Sequence, residues 1–215
     1  MRPLLLSVLT NFDKTEATKA LRMLVSWSVR FLIVGGLGGG TLEEKYSNAA
    51  VKIYKHEIVT AKQMAAAMRE SVPNDSEFKV AFENATVAKN YLARYYLRTL
   101  ELVKKGDNEP EFVPNTANDV VTLEHVLPEK PSAEWAHIPF EDAKANYKRI
   151  GNMVLLKKSA NNGVGNAGFP AKADLFKKSE YELTQEVGQS ATWDLEDIAK
   201  RQSVLAELAL KAWPV

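Results

Sequence analysis

The sequence predicts a mainly α protein with one small two-stranded element. Apolar residues recur at helical spacing over most of 1–105 and again over 171–213. Only two short runs, 119–127 and 153–156, have the β-branched and apolar composition of strands. The chain has 215 residues, 46% of them hydrophobic and 26% charged, which excludes disordered and collagen-like classes and suits one or two domains. With 28 Lys plus Arg against 27 Asp plus Glu, the net charge is +1. That excludes a uniformly basic nucleic-acid coat but leaves room for a local basic cleft. The absence of cysteine excludes a disulfide framework, thiolate-held zinc or iron–sulfur clusters and thiol catalysis, and suits a cytoplasmic protein.

Taken in order, 4–10 is a short apolar segment. The stretch 15–34 places Leu21, Leu24, Val25, Trp27, Phe31 and Leu32 at helical intervals, and a glycine cluster at 35–40 ends it. A helix is expected at 43–54, and another at 60–70 with Thr60 as its N-cap. Pro73-Asn74-Asp75 marks a turn. The stretch 77–105 is the longest periodic segment, with Phe78, Phe82, Leu92, Tyr95, Tyr96 and Leu100. Together these predict a small helical bundle over 1–105. Gly, Pro and Asn crowd 106–118, which reads as a linker. The remainder, 119–215, holds a strand at 119–127 ended by Pro128, a helix at 141–149, a strand at 153–156, a Gly/Asn-rich segment at 161–167, and amphipathic helices at 171–187 and 194–213. Asp194 is placed to cap the last helix, with Asp197 in its first turn.

Two features carry little functional weight. The most apolar stretch, 20–34, is interrupted by Arg22 and Arg30. Each would cost roughly 2.5–3.5 kcal/mol at a bilayer centre, so a buried helix is expected and no membrane span. The glycine cluster lacks the Lys-Ser/Thr of a phosphate loop and is not set in a strand–helix unit, so it reads as a helix connection.

The three histidines differ in setting. His56 reads as a surface residue, and His137, in a loop with Trp135 and Pro139, as a packing residue. His125 lies in Leu123-Glu124-His125-Val126-Leu127-Pro128. A charged pair inside an apolar strand is expensive to bury without a partner or a ligand, and in a strand its two side chains take opposite faces unless the strand end is distorted. A structural Glu–His pair at a sheet edge and a functional pair suit this hexapeptide equally. The second cluster is Ile150-Gly151-Asn152-Met153-Val154-Leu155-Leu156, followed by Asn161, Asn162 and Asn166. A strand bearing His, a return strand opening with Asn and a following segment with an oxygen donor make a ββα plan.

These residues resemble the HNH (His-Me finger, ββα-metal) nuclease motif, and more closely the C-terminal nuclease domain of GmrSD-type modification-dependent restriction enzymes. The resemblance runs from Glu124 to Pro128, through Trp135, over Ile150 to Leu156, and on to Asn161, Phe169 and Lys172, with Arg201 and Trp213 in the late helix. It covers about 119–215. The helical half is similar to the middle of the same two-domain proteins through Val29-Arg30-Phe31, the glycine-rich turn and Ala93-Arg94-Tyr95. The family's N-terminal nucleotide-handling domain is not represented, so the chain is expected to be a C-terminal fragment.

The resemblance implies a mainly α fold with a small ββα-metal (HNH-like) element, and a metal-dependent DNA endonuclease acting in restriction or antiviral defence. His125 is then the general base, since a neutral imidazole accepts a proton near pH 7, and Asn152 orients it. Glu124 and Asn161 would hold one divalent ion, Mg²⁺ or Mn²⁺, through hard oxygen donors. Asn162 is a substitute ligand, and Asn166 a phosphate contact or turn residue. Lys157, Lys158 and Lys172, with Lys177 and Lys178, would follow a phosphate backbone. The implied partners are DNA and a nucleotide-hydrolysing N-terminal domain. Two other readings stand beside this one: a non-catalytic nucleic-acid-binding or regulatory module with a degenerate finger, and a helical interaction domain in which the Glu124–His125 pair is structural.

Overall fold

The computed structural model describes residues 1–35, 39–106, 121–158 and 165–215, with the backbone alone for 39–41. Helices dominate the described residues, and the two strands form one antiparallel pair. Among the described residues no helix is long and apolar enough to cross a membrane. The chain divides into two compact units, Met1–Ala81 with Trp213–Val215, and Phe82–Ala212.

The first unit contains α1 (Arg2–Asn11), α2 (Lys14–Val34), α3 (Gly39–Tyr54), α4 (Ala61–Met68) and the start of α5 (Asp75–Asn84). Local chemistry sets the helix ends. Asp13 accepts from the backbone N–H groups of Thr15 and Glu16, and Gly35 ends α2 at φ +66°, a conformation that favours glycine. Thr60 and Gln63 form a capping box at α4, satisfying donors the helix start leaves open. Asn74 and Glu77 do the same for α5. The core gathers Leu4, Val8, Leu24, Trp27, Ile53 and Met64.

Arg30 is buried in this unit, and its burial is compensated. The guanidinium donates to the carbonyls of Trp213 (2.7 Å) and Pro73 (2.9 Å), pairs with Asp75 (2.6 Å), and lies 4.7 Å from the centre of the Phe78 ring. Because Asp75 is itself largely exposed, most of the cost of losing Arg30 falls on the two buried carbonyls. Arg30→Met, which keeps volume, is expected to lower stability by about 2–3 kcal/mol. A urea titration would show this as a lower midpoint at unchanged slope.

The second unit contains α6 (Asn90–Lys104), β1 (Val121–His125), the 3-10 turn η1 (Ala133–Trp135), α7 (Phe140–Asn146), the 3-10 turn η2 (Ile150–Asn152), β2 (Met153–Lys157), α8 (Phe169–Phe176), α9 (Glu182–Gly188) and α10 (Leu195–Ala212). β1 and β2 pair from Val121↔Lys157 to His125↔Met153. The core includes Val126, Leu127, Trp135, Val154, Phe176 and Ile198. α10 begins as expected: Asp194 accepts from the N–H groups of Glu196 and Asp197, and Asp197 accepts from the Asp194 N–H.

Two stretches expected as single helices are each divided. The periodic stretch 77–105 breaks between α5 and α6, because Thr86 forms a β-bridge with Arg149 and Val87 donates to the Lys148 carbonyl. The stretch 171–187 breaks between α8 and α9. Gly188 lies so close to the break that a Cβ there would sit 2.5 Å from the Lys177 nitrogen, and buried Glu101 of α6 accepts from the Glu182 and Leu183 N–H groups to start α9 afresh. Most of the linker expected at 106–118, and the start of the strand expected from 119, lie outside the described residues. So do 159–164, which the ββα plan needs after β2.

Candidate active site

The end of β1 and the start of β2 are held together from three sides. The first is Asn152, fully buried in η2. Its side-chain oxygen accepts from the Leu127 N–H (2.8 Å) and the Trp193 indole N–H (3.1 Å). Its amide nitrogen donates to the carbonyls of Leu127 (2.8 Å) and Tyr147 (3.0 Å). Two acceptor positions and two donor protons are all an amide has, so Asn152 is saturated. The expected hydrogen bond to the His125 imidazole is not formed. Asn152 acts on His125 through the backbone, tying the chain just after it to the turn before β2.

The second side is α10. Arg201 donates to the carbonyls of Gly151 (2.7 Å) and Met153 (2.8 Å). Burial pushes its guanidinium down to about 10, which leaves it charged at neutral pH. Gln202 accepts from the Gly151 N–H and donates to the carbonyls of Phe82 and Ala85. A Cβ at Gly151 would lie 2.4 Å from the Ile198 carbonyl oxygen, so the turn approaches α10 too closely for any other residue. Gly151→Ala is expected to cost about 1–3 kcal/mol by overpacking, read as a drop in thermal midpoint.

The third side is α8. Glu134 accepts from the Gly168 N–H, and Trp135 donates to the Ala167 carbonyl. Trp193 stacks on Phe169 at 5.8 Å. These contacts fix the start of α8 and so aim Lys172 inward. The Lys172 ammonium is fully buried and donates to Glu124 Oε1 and to the His125 carbonyl, both at 2.7 Å. Burial holds it below the usual lysine range against the pull of Glu124. A lysine so placed is withdrawn from the surface where a nucleic-acid backbone would run, which corrects the surface role expected of Lys172.

His125 is partly buried, and its ring packs on Tyr147 at 5.7 Å. Among the described residues neither ring nitrogen makes a hydrogen bond. Burial, then the charge of Lys172, hold the imidazole down to about 4; Glu129 opposes and Lys148 assists. It is therefore neutral at pH 7. Tyr147 donates to Glu129 (3.0 Å), and the Lys148 ammonium lies 5.1 Å from the centre of its ring. Tyr147, Lys148 and Glu129 were not singled out by the sequence, and nothing local marks them. Tyr147 precedes the Ile-Gly-Asn segment by only three residues, which is the one signal available.

Glu124 Oε2 makes no hydrogen bond among the described residues, and the side chain retains 14% exposure. One open carboxylate oxygen is a hard donor of the kind Mg²⁺ or Mn²⁺ takes. Such ions are often held by one or two carboxylates together with substrate phosphates, and to that extent the residues fit. Among the described residues no group of three or more His, Asp or Glu is arranged to hold a metal ion. Asn161 and Asn162, the other expected ligands, lie outside the described residues. Asn166 is exposed in a turn, Lys158 is exposed, and Lys157 pairs with Glu180 at 2.7 Å. His56 and His137 are exposed and take no part, the latter stacked on Trp135.

A family model described as GmrSD restriction endonucleases, C-terminal domain, matches residues 72–208, more than half of the chain. The chain belongs to this family. The GmrSD C-terminal match contains every residue just described around His125, together with Arg201; Trp213 and residues 1–71 lie outside it. No curated protein matches the chain. The family is a C-terminal domain of restriction endonucleases, and among the described residues its form here is mainly helical with one two-stranded sheet.

Proposed function

We propose that the second unit is a divalent-metal-dependent DNA endonuclease of the ββα-metal type, with His125 as general base. The observation that carries this is the imidazole itself: only partly buried, neutral at pH 7, without a hydrogen-bonded partner among the described residues, and next in sequence to a carboxylate with an open oxygen. A structural histidine of that burial would ordinarily have its nitrogens satisfied. The family supports the wider reading of a restriction-type nuclease with DNA as substrate; antiviral defence in the cytoplasm as the setting and a nucleotide-hydrolysing domain as partner belong to the same proposal.

In this mechanism His125 takes a proton from the attacking water as the new P–O bond forms and the bond to the leaving oxygen breaks. Burial and Lys172 make the free imidazole a weak base, but an incoming phosphate carries the opposite charge and raises its proton affinity toward neutrality. Tyr147 fixes the ring plane and Asn152 fixes the backbone that carries it. Glu124 and Asn161 would hold the ion, which when bound supplies charge neutralisation at the phosphate and the leaving oxygen. Lys157, Lys158 and Asn166 would serve as outer contacts to a backbone, where exposed lysines add a salt-dependent share of affinity.

The test is cleavage of supercoiled plasmid with Mg²⁺ or Mn²⁺, against EDTA and against His125→Ala. Nicking that both controls remove supports the nuclease. DNA binding without cleavage in either protein favours instead a regulatory module with a degenerate finger.

A further inference from the structure

Lys172 occupies the position that decides the charge of the site. Its ammonium lies 2.7 Å from Glu124 Oε1, is fully shielded from water, and is fixed by a second bond to the His125 carbonyl. The shell that sets it there comprises the Glu134–Gly168 contact, the Trp135–Ala167 bond and the Trp193–Phe169 stack. Side chains on such a shell have little freedom to swing away. The carboxylate and the ammonium therefore form a pair of zero net charge, and water does little to screen the ammonium from anything bound at the other carboxylate oxygen. Lys148 adds a further positive charge near His125, which Glu129 partly offsets.

We propose that Lys172 makes metal binding at Glu124 conditional on bound nucleic acid. This rests on the nuclease reading above. A divalent ion arriving at the free protein meets a neutralised carboxylate with a cation on its far side. A phosphodiester placed over the same site contributes the missing negative charge and one or two further oxygen ligands. The order of assembly is thus DNA first and metal second, and by linkage the metal tightens DNA by the same factor that DNA tightens the metal. The device keeps the free protein from carrying a loaded, hydrolytically competent centre. A merely structural Lys172 would matter for stability and leave metal affinity untouched.

The experiment is Mn²⁺ titration followed by electron paramagnetic resonance, with the full chain. Wild type without DNA is expected to bind Mn²⁺ weakly. Lys172→Met is expected to bind it at least about tenfold more tightly, within the usual span of coupling between sites, and Glu124→Gln to remove that gain. In a His125→Ala background, which prevents turnover, a 20-base-pair duplex is expected to tighten Mn²⁺ at least about tenfold, and Mn²⁺ to tighten the duplex equally by fluorescence anisotropy. Tight Mn²⁺ binding by the free wild type overturns the proposal, as does a folded Lys172→Met with unchanged affinity. If Lys172→Met fails to fold, the duplex-dependence of Mn²⁺ binding decides, and its absence overturns the proposal. These outcomes are separable from failure of the nuclease reading, which would appear as a lack of cleavage by wild type.

Discussion

His125→Ala is expected to reduce plasmid cleavage by about 10²–10⁴-fold, the usual contribution of a positioned general base, with folding preserved. Among the described residues the partly buried ring packs on Tyr147 at 5.7 Å and makes no hydrogen bond, so truncation forfeits an aromatic contact worth about 1 kcal/mol. Circular dichroism and a urea titration of the variant should therefore resemble those of the wild type. The two measurements separate chemistry from structure. A base role predicts lost cleavage at retained stability, and also partial recovery when free imidazole is added to His125→Ala, since the cavity left beside Tyr147 can admit it. Unchanged cleavage would place the base elsewhere, and loss of folding would return Glu124 and His125 to a structural pair.

Asn152 should behave in the opposite way, with a large loss of stability. Its amide serves four partners: the Leu127 N–H and carbonyl, the Tyr147 carbonyl and the Trp193 indole. Asn152→Ala leaves these without partners in a site that admits no solvent at the residue itself. At about 1–3 kcal/mol for each unsatisfied group, and less than additively, a total near 4 kcal/mol is expected. Asn152→Asp is the sharper variant. It keeps the shape but sets an acceptor against the Leu127 and Tyr147 carbonyls, so it should be no more stable than Asn152→Ala. The urea midpoint reports the effect. If Asn152 instead oriented the imidazole directly, Asn152→Asp would alter cleavage at nearly normal stability.

Several features were legible because they depend on residues adjacent in the chain. The caps at Thr60 and Asp194 follow from one side chain and the backbone two or three residues on. The two strands follow from runs of β-branched and apolar residues bounded by Pro128 and Gly151, and the pairing of His125 with Met153 brings together the two segments that the motif marks. The buried helix that carries Arg30 is legible from its apolar periodicity, but the burial of Arg30 and its partners are not, since Pro73 and Trp213 are 43 and 183 residues away.

What sequence alone determined about this protein is its mainly helical class, the position of its two strands and the segment in which chemistry is to be sought, all set by local periodicity and local hydrogen bonding. The tertiary structure decided the rest. It divided two periodic stretches, because Thr86 found Arg149 and Gly188 found the Lys177 backbone. It turned Lys172 from a surface cation into a buried one, and Asn152 from an imidazole partner into a backbone tie. The physical reason is common to these cases. A polar group's fate depends on whether distant partners compensate its desolvation, and Lys172 goes inside only because folding delivers Glu124 and the His125 carbonyl to it.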